Sequence, residues 1–171
     1  MLSPDPSLFD ICAEILCREY GPVDLASEVL PWENTEYYRD EMGDRIVRKF
    51  IFLERLIDPK ELPRIKTFTI GVENRFAVQK GTILQRRINL DPGYLTEAKV
   101  VLSTTKDFAH RIYIGDGIYA EVTLRYSNSS RRFVPFEHTY PDYRTDAYAA
   151  LFSTARENLR SALKRNGAAA G

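Results

Sequence analysis

Residues 111–125, RIYIGDGIYAEVTLR, restrict the fold more than any other stretch. Two segments that alternate apolar and polar side chains flank Gly115-Asp116-Gly117, the composition of a reversal between antiparallel strands. A three-residue loop with Gly117 in the left-handed conformation pairs residue 114 with 118, 112 with 120 and 111 with 121. In that register Ile112, Ile114, Ile118, Ala120, Val122 and Leu124 form an apolar face. Arg111, Tyr113, Tyr119, Glu121, Thr123 and Arg125 form the other, with His110 on the apolar side at the open end. An isolated hairpin is marginal in water, so the rest of the chain must supply further strands and helices to cover it.

The flanking sequence offers them. Asp5-Pro6 is an N-cap followed by proline at the first helical position, and Leu8, Ile11, Cys12, Ile15 and Leu16 keep helical spacing until Gly21-Pro22. An extended segment over 27–32 and a short polar helix, TEYYRDEMG, follow. Residues 46–56, IVRKFIFLERL, read as a strand covered on both faces and central in a sheet. Asp58-Pro59 opens a second helix through IKTFTIGVENRFAV, with Pro63 held to its first turn and Gly71 weakening its middle. Residues 79–82 read as a turn, 84–90 as a strand, Asp91-Pro92-Gly93 as a type II turn with Gly93 at positive φ, and 98–104 as a strand. After a polar loop, SNSSRR, and a short strand, RFVPF, Thr145 caps a last helix. Its stripe is Tyr148, Leu151, Phe152, Ala155, Leu159 and Leu163.

Lys plus Arg (24) equals Asp plus Glu (24), so no global field draws the chain to nucleic acid or an anionic membrane, and any anion site must be local. No apolar run approaches the roughly 18 residues of a membrane span, and MLSPDPSLFD lacks the features of a signal peptide. A cytoplasmic location is the expectation. Cys12 and Cys17 lie five positions apart on one helix, about 140° around its axis, too divergent to bridge or to share a metal.

The polar residues near the hairpin suggest chemistry. Lys106, His110 and Arg111 crowd within six positions, Lys99 leads into them, and Thr104 and Thr105 add hydroxyl donors, a composition suited to a phosphate or carboxylate. Histidine is the side chain that ordinarily exchanges protons near neutral pH, which makes His110 the candidate acid or base. The plainer alternatives are an exposed cross-strand pair between Arg111 and Glu121, and a buried His110 bonded to backbone. NLDPGYL adds Asn89, Asp91 and Tyr94, which an Asx-capped turn also explains. YPDYRT sets Asp142 and Arg144 before the last helix. In TEYYRDEMG, Tyr37 and Tyr38 precede Glu41 by about one turn, and packing tyrosines account for them. Asp91, Asp107, Glu121 and Asp142 are the carboxylates available to a Mg²⁺ ion. The chain has no GxxxxGK[ST], no GxSxG and no dinucleotide fingerprint.

The first helix through GPVDL, then TEYYRDEMG, FLERLIDP, the long block over 89–126 and YPDYRT together resemble the bacterial and archaeal family known as domain of unknown function 4416. Members are sometimes labelled GTP-binding, which implies a nucleotide ligand, although the chain carries no P-loop. The family usually has an apolar strand just upstream of the position of Met1. Without that strand, a neighbouring strand would expose its edge and favour a homodimer.

These readings give an α+β fold: one domain over residues 1–165, with a single mostly antiparallel sheet of about five to six strands against three main helices, and a flexible tail over 166–171. The functional expectation is a site for a phosphate-bearing, nucleotide-like small molecule, with hydrolysis of a phosphoester or phosphoanhydride as the reaction class. His110, Glu121 and Asp91 would be catalytic, and Arg111, Lys106, Lys99, Tyr94 and Arg144 would bind the ligand; Asp91 and Glu121 would position either a hydroxyl or a metal ion, for which Mg²⁺ is the candidate. The alternative is a non-catalytic interaction or structural module whose polar cluster stabilises the fold.

Overall fold

The computed structural model describes residues 1–32, 42 and 45–169. The TEYYRDEMG helix with Tyr37, Tyr38 and Glu41 falls outside them except at Met42, which is helical and buried. The chain gathers into two compact units, Met1–Pro92 and Gly93–Gly171.

In the first unit, β1 (Leu2–Ser3) is followed by α1 (Ser7–Tyr20), β2 (Val23–Ala26), β3 (Leu30–Pro31), β4 (Val47–Arg48) and β5 (Ile51–Leu53). A 3-10 turn, Pro59–Glu61, leads into α2 (Leu62–Phe76) and a hairpin of β6 (Val78–Lys80) and β7 (Ile83–Gln85). Asp5 supports the start of α1, its Oδ1 accepting from the Ser7 amide at 3.1 Å. Leu8, Phe9 and Cys12 of α1 pack with Val72 of α2 and with Ile88 and Leu90 to form the core. Burial pushes the Cys12 thiol up to about 11, the state of an inert packing residue.

Three expectations change here. Residues 46–56 are not one central strand: β4 joins β1 and β3, and after Lys49-Phe50 the chain changes sheets, so that β5 pairs with β2. The Lys49 amide donates to Met1 O at 3.0 Å, and Ser27 exchanges bonds with Phe50, which fixes the switch. Of 84–90, only the start is strand; Asn89 instead forms an isolated bridge with Leu2. Gly93 does not take positive φ. It opens a strand so close to its neighbour that a Cβ there would collide with the Val101 carbonyl oxygen, and this close approach is why glycine is required.

The second unit holds β8 (Gly93–Leu95), β9 (Lys99–Thr104), β10 (Ile112–Gly115), β11 (Ile118–Ser127) and β12 (Arg132–Pro135). A 3-10 turn, Pro141–Arg144, and α3 (Asp146–Ala169) complete it. All five strands form one antiparallel sheet, ordered β10-β11-β9-β8, with β12 also on β11. Phe152 of α3 meets Phe133 edge-on and stacks on Tyr143, seating the helix against β12. Thr145 caps α3 as expected, accepting from the Tyr148 amide at 3.3 Å. Among the described residues the fold is thus α+β with three long helices, but its strands lie in several antiparallel sheets, the largest of five strands, rather than in one. No described helix is long and apolar enough to cross a membrane.

Candidate functional site

The β10–β11 reversal uses a two-residue loop. Asp116 (φ 53°) and Gly117 (φ 73°) both take left-handed values, and Gly115 pairs with Ile118. The extra residue appears instead as a bulge between Tyr113 and Gly115, which preserves the expected pairing of Ile112 with Ala120. A second bulge, between Val122 and Leu124, shifts the alternation of β11. As a result the expected faces do not hold. Ile112 is 73% exposed, whereas Arg111, Glu121 and Thr123 are buried alongside Leu124.

β11 is longer than either neighbour on that side: 118–120 pair with β10 and 124–127 with β12. The carbonyls between these stretches are met by side chains of the loop after β12. His138 Nε2 lies 3.2 Å from Val122 O, and Thr139 Oγ1 donates to Thr123 O at 2.6 Å. Beside this break sits the polar cluster. Glu121, its side chain 3% exposed, accepts from Arg111 Nε at 2.7 Å and from Thr123 Oγ1 at 3.4 Å. His110 Nε2 lies 3.2 Å from Glu121 Oε2. Arg111 donates further from Nη1 to Lys106 O (3.1 Å) and from Nη2 to the Tyr140 hydroxyl (3.0 Å). Burial works against the Arg111 charge, but the bonds to Glu121 and Tyr140 prevail and raise the guanidinium above its ordinary value. The two histidines of the chain stack on each other, ring centroids 4.5 Å apart, and Phe136 stacks on His138 at 5.3 Å.

The Arg111–Glu121 pair is therefore real but buried rather than exposed. His110 bonds to a carboxylate rather than to backbone, and 28% of its side chain reaches solvent. The remaining candidates separate. Lys106 contributes its carbonyl to Arg111. Lys99 is exposed at the start of β9, and Tyr94 is half-buried in β8. Arg144 turns back to its own loop, donating Nε to Thr139 O at 2.8 Å and Nη2 to Glu137 O.

Asp91 belongs to a network in the first unit. Its Oδ1 accepts from Lys66 Nζ at 3.1 Å and its Oδ2 from Asn89 Nδ2 at 2.6 Å. Burial opposes ionisation of Asp91, yet the Lys66 charge and hydrogen bond, with help from Asn89, hold its carboxyl down to about 2. Lys66 also donates to Leu90 O at 2.7 Å, while Glu73 accepts from the Leu90 amide at 2.7 Å and from Arg86 Nη1 at 3.2 Å. Burial pushes the Glu73 carboxyl above its ordinary value against the pull of Lys66, the Leu90 amide and Arg86. α2 thus grips both backbone groups of Leu90. The sequence reading overlooked Lys66, Glu73, Arg86, His138 and Tyr140. Lys66 and Glu73 were detectable: seven positions apart, they share one helix face within about 20°, and they interrupt the apolar stripe of Leu62, Ile65 and Val72.

Asp91 and Glu121 each spend their oxygens on protein donors. Among the described residues, no three His, Cys, Asp or Glu side chains gather so as to hold a metal ion. Fold and network together define an α+β protein whose buried ionic clusters bind its own chain. The protein belongs to the family described as Domain of unknown function (DUF4416), whose model matches residues 1–159. No curated protein and no solved structure matches the chain.

Proposed function

We propose that the chain is a non-catalytic interaction module in which the polar cluster of the second unit stabilises the fold. The observation that carries this reading is how Arg111 is used. With 2% of its side chain exposed, all three guanidinium nitrogens are committed to Glu121, Lys106 O and Tyr140. A guanidinium that grips a ligand phosphate must present its fork outward. The cluster instead secures the turn that leads into β10, an edge strand. Phe108, Ile112 and Tyr113 are each at least half exposed there, and apolar side chains on a sheet edge suit contact with a protein partner.

A second reading rests on His110, partly exposed and paired with a buried carboxylate, the arrangement that orients an acid–base imidazole. Its ligand would carry phosphate, and the reaction would be hydrolysis of a phosphoester or phosphoanhydride. Thermal unfolding with GTP, ATP and other nucleotides, with and without Mg²⁺, separates the two. A ligand at 100 times its dissociation constant adds about 2.7 kcal/mol of stability. The module reading expects no nucleotide shift that depends on His110. A shift abolished by His110→Ala and by Glu121→Gln would overturn it in favour of the second.

A further inference from the structure

β9 and β11 set Lys99 directly opposite Arg125. Cross-strand partners leave a sheet on the same face with Cβ atoms about 5 Å apart, and like charges in that position destabilise the pair. Both side chains are exposed. Nearby cations are compensated: Arg132, opposite Ser127 one row along β11, bonds Asp146 at 2.7 Å, and Arg160 meets Glu97 at 3.0 Å. Among the described residues, no carboxylate forms an ion pair with Lys99 or Arg125. The Arg125 guanidinium instead lies over the Phe136 ring, 5.9 Å from its centroid, and that ring is itself stacked on His138. One cation is thus positioned by an aromatic platform, and a second faces it across the strand pair without a counter-charge.

We propose that Lys99 and Arg125 form a binding site for a multiply charged oxyanion, the phosphate or polycarboxylate group of a ligand. The anion supplies the missing negative charge, with the Arg125 fork contacting two oxygens and the Lys99 ammonium acting as a point charge on a third. This site shares no residue with the Arg111–Glu121 cluster and does not depend on the module reading.

The test follows thermal unfolding and backbone amide NMR shifts while pyrophosphate or citrate is titrated at constant ionic strength, with chloride as the monovalent control. Wild type, Lys99→Ala, Arg125→Ala and Arg125→Lys are compared. The expected result is a saturable stabilisation centred on the amides of Lys99 and Arg125. Both alanine variants weaken it at least tenfold, and Arg125→Lys weakens it less. Without anion, at low salt, Lys99→Ala should unfold no earlier than wild type, because it removes a repulsion. Tighter binding of pyrophosphate assigns a phosphate ligand, and tighter binding of citrate a carboxylate. Absence of saturable binding in wild type, unchanged affinity in Arg125→Ala, or earlier unfolding of anion-free Lys99→Ala would each overturn the proposal. A nucleotide shift that depends on Arg125 but not on His110 belongs to this site and leaves the module reading intact.

Discussion

Replacing Arg111 by Met keeps most of the side-chain stem and removes the charge, leaving Glu121 without its guanidinium partner and with 3% of its side chain exposed. Thr123, at 3.4 Å, and the His110 nitrogen, at 3.2 Å, are then its remaining polar contacts. Breaking a buried pair in this way costs about 3–5 kcal/mol, because the uncompensated charge stays in a poorly solvated place. Replacing both partners, Arg111→Met with Glu121→Leu, removes the orphaned charge. Its cost should fall to about 1–2 kcal/mol, the loss of hydrogen bonds to Lys106 O and the Tyr140 hydroxyl. The double-mutant cycle should therefore be strongly non-additive, with the double variant more stable than the Arg111→Met single. Urea unfolding followed by circular dichroism at pH 7 reads this as a drop in midpoint on the order of 2 M for the single variant, largely restored in the double. If Arg111→Met cost less than about 1 kcal/mol, the value of an exposed pair, the cluster would not be the buried lock described and the module reading would lose its support.

Gly71 lies within α2, and a Cβ there would meet nothing within 4 Å, so Gly71→Ala should raise stability by roughly 0.5–1 kcal/mol in the same urea assay. Gly93→Ala should lower it by about 1–3 kcal/mol, because the new Cβ drives into the Val101 carbonyl and the Leu102 side chain. Asp91, held down to about 2 from 3.8, contributes stability that is present above pH 3.8 and lost as pH falls through 2. With 36% of its side chain exposed, solvent screening reduces that contribution to about 1 kcal/mol. In Asp91→Asn the urea midpoint should therefore change less between pH 4 and 2 than in wild type. Glu73 acts in the opposite sense and in a different window: its raised carboxyl favours the fold fully below pH 4.5, and that advantage is lost as pH rises through its folded value.

The parts of the fold legible in the sequence were those fixed by neighbours along the chain. The Gly21 end of α1, the Thr145 cap of α3, most of both helices' apolar stripes (Ile11 and Leu163 are exposed), proline at the start of α2, the strand at 99–104 and the pairing of Ile112 with Ala120 all depend on contacts a few residues apart. The errors arose where partners are remote. Nothing within IVRKFIFLERL says that its two ends join different sheets, because the strands that receive them, β1, β3 and β2, lie elsewhere in the chain. Gly93 looked like a turn glycine because Asp-Pro-Gly is turn-like in isolation; the reason for glycine is a carbonyl eight residues on.

The candidate site divides in the same way. From residue types alone, Lys106, His110, Arg111 and Glu121 could be recognised as a polar concentration beside a hairpin, since the reversal itself brings them together. How those charges meet one another was decided by the two bulges, by the loop that brings His138, Thr139 and Tyr140 against β11 and Arg111, and by the burial that follows. A bulge turns a side chain from one face to the other without a change in composition, and burial turns a weak surface ion pair into one that is costly to break. The alternation of β10 and β11 determined that charges would meet at the hairpin; only the packed structure determined that Arg111 and Glu121 would satisfy each other, while Lys99 and Arg125 would stand opposite, ion-paired to no acid among the described residues.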